Sequence, residues 1–126
     1  MTLTVRSVNH VAVLDLAGRL TSTDGAGLLK EAVDRLISEG RNSIVLNLSQ
    51  LSYMDSSGLG EMIACYTTAS KAGGAVKLSH TTAKIQDLLS ITKLITVFDT
   101  FDTEQLALDS FPVPVPVGVR AAVAKA

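Results

Sequence analysis

Apolar residues in this chain recur with two spacings that take turns, and that alternation sets narrow limits on the fold. Leu3 to Ser7 alternates apolar with polar residues. After a polar turn at Asn9 the run VAVLDLAG begins at Val11, so two short strands joined as a hairpin are expected. The second run has apolar side chains on both parities, as in a strand covered on at least part of both faces, and ends at Gly18. From Asp24 the period becomes helical: Leu29, Ala32, Val33, Leu36 and Ile37 share one face, with Lys30, Glu31, Asp34 and Arg35 opposite. Thr21, Ser22, Thr23 and Asp24 are candidate N-caps for that helix, and Gly40 stands where a left-handed C-terminal cap belongs.

The pattern then repeats. SIVLNL, from Ser43 to Leu48, reads as an inner strand, and after SQLSYMD the residues Leu59, Met62, Ile63 and Tyr66 return to helical spacing, closed by Gly73 and Gly74. AVKLS is a strand again, Ile85, Leu88 and Leu89 mark a third helix, ITVFDTF is strand-like, and Thr103 to Leu108 makes a fourth helix. Strands taking turns with helices predict an α/β fold, a mixed and mostly parallel sheet of four to five strands with helices packed on it and right-handed crossovers.

With 126 residues, 47% of them hydrophobic, the chain supports one core and not two. The domain is expected to cover 1–111. The end, 112–126, is rich in Pro, Val and Ala, with its three prolines at alternate positions, and is expected to be a flexible tail outside the sheet. Eleven basic and twelve acidic residues leave a net charge of -1 with no basic run, which argues against nucleic acid. A lone Cys65 and two distant histidines match no metal-ligand spacing, so neither metal nor cofactor is expected. Cys65 itself fits a small apolar packing role. No stretch has the length of a membrane span or the layout of an export signal, and a cytoplasmic setting is expected.

The most informative stretch is YMDSSGLG, Tyr53 to Gly60, which joins an apolar strand to an amphipathic helix through Asp55, Ser56, Ser57 and Gly58. In a mainly parallel sheet, strand ends and helix starts share the edge where ligands and partners meet the fold. Free amides and the helix dipole there accommodate added negative charge, so a phosphate on Ser56 or Ser57 has a place to sit. Next to Asp55 it adds roughly -1.5 to -2 charges, enough to repel a closely fitted partner. The plainer reading is that Asp55 and the serines only cap the helix, while Gly58 and Gly60 either admit a partner to the first turn or avoid clashes with the sheet. A serine hydrolase would need a GxSxG elbow and a base. Met54 stands two residues before Ser56, and His10 and His80 fall at turns with no acidic partner in view. A phosphate loop of the GxxxxGK[ST] kind is missing as well.

On these residues the chain resembles bacterial anti-sigma factor antagonists, built on the STAS domain. LNLSQLSYMDSSGLGEMIACYTTASKAGG is similar to that family's central segment, LAGRLTSTDGAGLLKEAV to its second strand and first helix, and KIQDLLSITKLITVFDTF to its third helix and last strand. The resemblance covers roughly 1–111 and implies a STAS-type fold and a protein-binding switch that is not an enzyme. By resemblance, Ser56 is the phosphorylation site. The unmodified protein binds an anti-sigma factor that is also a serine kinase, the sigma factor is freed, the kinase can then phosphorylate the antagonist, and a separate serine phosphatase returns it to the unmodified form. Asp55, Ser56, Ser57, Gly58, Leu59, Thr21 and Asp24 are the implied partner-binding residues, with Leu59 the apolar contact beside the switch. Many members carry an acid where this chain has Thr21; the nearest acid here is Asp24. The alternatives are a STAS scaffold without phosphorylation, in a stress-signalling complex or beside a transporter, and a small nucleotide-binding or hydrolase domain using Ser56 or Asp55.

Overall fold

A computed structural model describes residues 1–94 and 96–112. Five strands form one sheet in the order β1 (Thr2–Val8), β2 (Val11–Leu20), β3 (Ser43–Met54), β4 (Ala75–Ser79) and β5 (Thr100–Phe101). β1 and β2 are an antiparallel hairpin turning at Asn9, whose φ of 56° is the positive value such a tight turn needs. The other three pairings are parallel. Four helices intervene: α1 (Leu28–Ser38), α2 (Ser56–Lys71), α3 (Ala83–Ile91) and α4 (Glu104–Asp109). The expected mixed, mostly parallel sheet with helices on it is what the chain forms.

Two parities of β2 face two cores. Ala12, Leu14 and Leu16 join Ile44, Leu46 and Leu48 of β3 beneath Leu29 and Val33 of α1, Met62 and Cys65 of α2, and Leu89 of α3. Val11, Val13 and Val45 point the other way, against Ala107 and Leu108 of α4 and Phe111. Each fully buried leucine contributes roughly 2 kcal/mol, so the first and larger cluster dominates stability. The small second core is reinforced by charge. Arg6 donates from Nε to Asp15 Oδ2 at 2.6 Å and from Nη1 to Glu104 Oε2 at 3.0 Å, and Asn47 Nδ2 reaches Glu104 Oε1 at 3.1 Å. The Arg6 hydrogen bonds and the one from Asn47 hold the Glu104 carboxyl below the usual glutamate range, against the opposing effect of partial burial.

Several boundaries differ from the sequence reading. β2 runs past Gly18 to Leu20, and β3 continues beyond Leu48 to Met54, because the two pair again from Ala17↔Gln50 to Leu20↔Met54 after register shifts near Asp15 and Gly18. SQLSYM is therefore strand: Leu51 and Met54 are buried while Ser52 and Tyr53 face solvent. α1 starts at Leu28, four residues after Asp24, with Gly27 at its N-cap. Its C-terminal end is as expected, since Gly40 has φ 80° and Arg41 N–H reaches the Leu36 carbonyl at 2.8 Å. Of ITVFDTF only Thr100–Phe101 is strand; Ile95 lies outside the described residues, as do 113–126 and the extended tail read there.

Candidate functional site

α2 begins where it does because Asp55 is an N-cap. Its backbone is extended (φ -100°, ψ -174°), its Oδ1 accepts from Gly58 N–H at 3.0 Å, and its carbonyl accepts from Leu59 N–H at 3.0 Å. Ser56 and Ser57 are the first two helical residues, both exposed, on amides that have no carbonyl one turn earlier within the helix. The turn is tied sideways to the sheet: Asp55 N–H donates to the Leu20 carbonyl at 3.3 Å. Gly58 answers the question left open by the sequence, because a Cβ there would lie 2.3 Å from Leu20 O and 2.8 Å from Met54 Cγ. It is glycine so that α2 can approach the end of β2. Gly60 has nothing within 4 Å of such a Cβ and faces solvent.

Leu59 is corrected by the structure. At 4% exposure it belongs to the main core and presents almost no surface beside the serines. Tyr53, just upstream, is exposed and carries the Arg19 guanidinium 4.7 Å from its ring centroid. With Met54 it borders a groove of about 270 Å³ closed on the far side by Ile85, Leu88 and Ile91 of α3. Ile91 is 79% exposed, an unusual position for an isoleucine. Tyr53 opens the YMDSSGLG stretch but neither it nor Ile91 is among the partner-binding residues implied by the sequence; the polar residues around Tyr53 masked the strand that presents it.

Thr21 and Asp24 lie directly after Leu20, beside the serine turn, but neither caps α1 as expected. Thr21 is buried; its Oγ1 accepts from Asp24 N–H at 3.1 Å and its own N–H donates to the Asp24 carbonyl at 2.9 Å, a closed turn that keeps both residues out of the helix. The Asp24 carboxylate pairs with the amino group of Met1. Because α1 opens on Gly27 (φ 82°) with no side-chain cap of its own, its free amides are met from α2: Glu61 Oε1 accepts from Gly27 N–H at 2.8 Å and Oε2 from Lys30 N–H at 3.0 Å. The only hint of Glu61 in the sequence is the lack of a capping side chain next to Leu28.

Chemistry elsewhere is sparse. Burial pushes the Cys65 thiol up to about 12, which leaves it unionised at neutral pH. Both histidines are half-buried, and neither is hydrogen-bonded to Asp55, Ser56 or Ser57; His80 has its Nδ1 3.3 Å from Ser79 Oγ, while His10 Nε2 has no partner among the described residues. Among the described residues no three His, Cys, Asp or Glu side chains are grouped to hold a metal ion, and no helix is long and apolar enough to cross a membrane.

An Asp-Ser-Ser-Gly turn with both serines exposed, between a long inner strand and a helix on a five-stranded mixed sheet, coincides with a match of residues 2–107 to the family model described as the STAS domain. The chain belongs to the STAS domain family. Among STAS proteins, an anti-sigma F factor antagonist from Paenibacillus polymyxa is 30% identical over 118 residues, covering 90% of this chain and 98% of that protein. An anti-sigma-B factor antagonist from Bacillus subtilis is 30% identical over 86 residues, 68% of this chain and 77% of the relative. The fold is shared with an anti-sigma factor antagonist from Mycobacterium paratuberculosis, at a TM-score of 0.77 and 22% identity, covering 86% of this chain and 92% of that one.

Proposed function

We propose that this STAS protein is an anti-sigma factor antagonist of the cytosol whose partner binding is set by the phosphorylation state of Ser56. The observation that carries the reading is the position of Ser56: exposed, first in α2, and flanked by a carboxylate that is already engaged in capping. Its unmodified form binds an anti-sigma factor serine kinase, which then lets go of its sigma factor. Asp55, Ser56, Ser57 and Asp24 supply the polar contact, and the Tyr53–Ile91 groove the apolar one, with Thr21, Gly58 and Leu59 holding that surface from behind.

The switch follows from electrostatics. Transfer of the γ-phosphoryl of ATP to Ser56 Oγ places about two negative charges beside Asp55, in an interface from which water has been expelled. The same charges are accommodated by the free amides and dipole of α2, so the fold persists while the partner leaves. A serine phosphatase hydrolyses the ester and returns the hydroxyl. The protein is substrate and ligand in this cycle and catalyses no step of it.

The test uses the full chain, ATP and the cognate anti-sigma kinase. Phosphate is expected on Ser56; Ser56→Ala should bind without being labelled, Ser57→Ala should still be labelled, and Ser56→Asp should lose at least tenfold in affinity, about 1.4 kcal/mol. Binding that ignores Ser56→Asp would overturn the switch and favour the scaffold reading.

A further inference from the structure

We propose that a second copy of this chain docks along the free edge of β1, forming a symmetric dimer in which two sheets merge into one. The inference is independent of the Ser56 switch, since none of the residues that carry it belongs to that site. β1 ends the sheet, and its outer side pairs with no strand among the described residues. All seven of its residues pair with β2 in unbroken register, and it contains no proline and no bulge. Exposed edges are ordinarily blunted by shortness, bulges or proline, and the opposite edge follows that rule, β5 having two residues. β1 is neither short, bulged nor interrupted by proline, and its one charged residue, Arg6, is held by Asp15 and Glu104.

The surface over this edge is also unfinished. Val5 is 43% exposed and Leu28 40%, and with Leu3, Ala32 and Leu36 they line an apolar groove of about 330 Å³ between β1 and α1. Charge identifies the occupant. Along the rim Glu31, Arg35 and Glu39 follow one another at four-residue intervals, and the pair Glu31–Arg35 stands 4.0 Å apart with both side chains largely exposed, a loose contact free to exchange partners. An antiparallel copy of α1, related by a twofold axis passing between Glu31 and Arg35, sets Glu31 opposite the other copy's Arg35 and Arg35 opposite its Glu31, while Glu39 falls opposite Gly27. A partner of a single sign would meet a like charge at every second position. The same axis, perpendicular to the sheet, lays β1 antiparallel to its own copy and keeps both α1 helices on one side.

Sedimentation velocity on the full chain, from micromolar to near-millimolar concentration, reads the prediction directly, with circular dichroism confirming that each variant is folded. The wild type should pass from monomer to dimer, and Val5→Lys, which puts a charge on the open edge, should remain monomeric. Glu31→Arg and Arg35→Glu should each weaken association about tenfold, because a symmetric interface contains every such contact twice. The double reversal should recover to within about threefold of wild type, since the two signs have only changed places. A wild type that stays monomeric throughout would overturn the proposal, as would a dimer indifferent to Val5→Lys and to the single reversals.

Discussion

At Gly58 a single hydrogen decides whether the serine turn can exist. Alanine would ordinarily favour a helix by about 1 kcal/mol over glycine, but here its methyl group would meet the Leu20 carbonyl oxygen at 2.3 Å, a main-chain atom already fixed by strand pairing and by the Asp55 amide. The clash wins: Gly58→Ala should destabilise the protein by about 3 kcal/mol, measured by urea unfolding. Gly60→Ala, two residues on with open space around it, should be neutral or stabilising by up to about 1 kcal/mol. Equal effects at the two positions would refute the packing argument. The letters DSSG were legible as a cap and a candidate switch from the start. What they could not disclose was which glycine was obligatory, because that depends on Leu20, a residue 38 positions earlier brought close by the pairing of β2 with β3. For the same reason Leu59, apolar and next to the serines, was read as a contact when the turn of α2 sends it inward.

Helix ends show how far local rules reach. The Thr82 and Thr103 side chains cap α3 and α4 through Ile85 N–H and Leu106 N–H, arrangements that sequence spacing describes well. α1 breaks the pattern, and its expected start at Asp24 was wrong because Thr21 spends its hydroxyl on the Thr21–Asp24 turn while Glu61 reaches over from a neighbouring helix. A cap supplied across 34 residues leaves no periodic trace. Glu61→Ala should cost about 1 to 2 kcal/mol and speed hydrogen exchange at the Gly27 and Lys30 amides by roughly tenfold, with the C-terminal turn of α1 unaffected because Gly40 and Arg41 close it separately. Uniform acceleration along α1 would show instead that the helix opens as one piece. β3 carried the opposite lesson: its outer half reads as a polar spacer, yet the second stretch of pairing with β2 makes it strand and puts Tyr53 on display.

For the molecule as a whole, the alternation of spacings conveyed the fold class and the two parities of β2 conveyed cover on both of its faces, whereas which helix covers which face emerged only from the structure. α4 covers the lesser core and is fastened through Glu104 to Arg6 and Asn47. Because the folded protein holds the Glu104 carboxyl below its usual range, unfolding at low pH takes up a proton there, and the stabilisation is fully present at neutral pH and disappears as pH falls through and below the ordinary glutamate range. Glu104→Gln should therefore cost about 1 to 2 kcal/mol at neutral pH and narrow towards wild type on acidification, measured by thermal melts between about pH 7 and 3. A gap that stayed constant with pH would place the loss in packing and not in charge.

The Leu20 carbonyl, wedged between the Asp55 amide and the space beside Gly58, makes the serine turn part of the sheet's rim. A visitor to that rim meets a finished mould. For a partner that docks there as proposed, little order has to be imposed on this side, and the entropic cost of any reshaping falls on the partner.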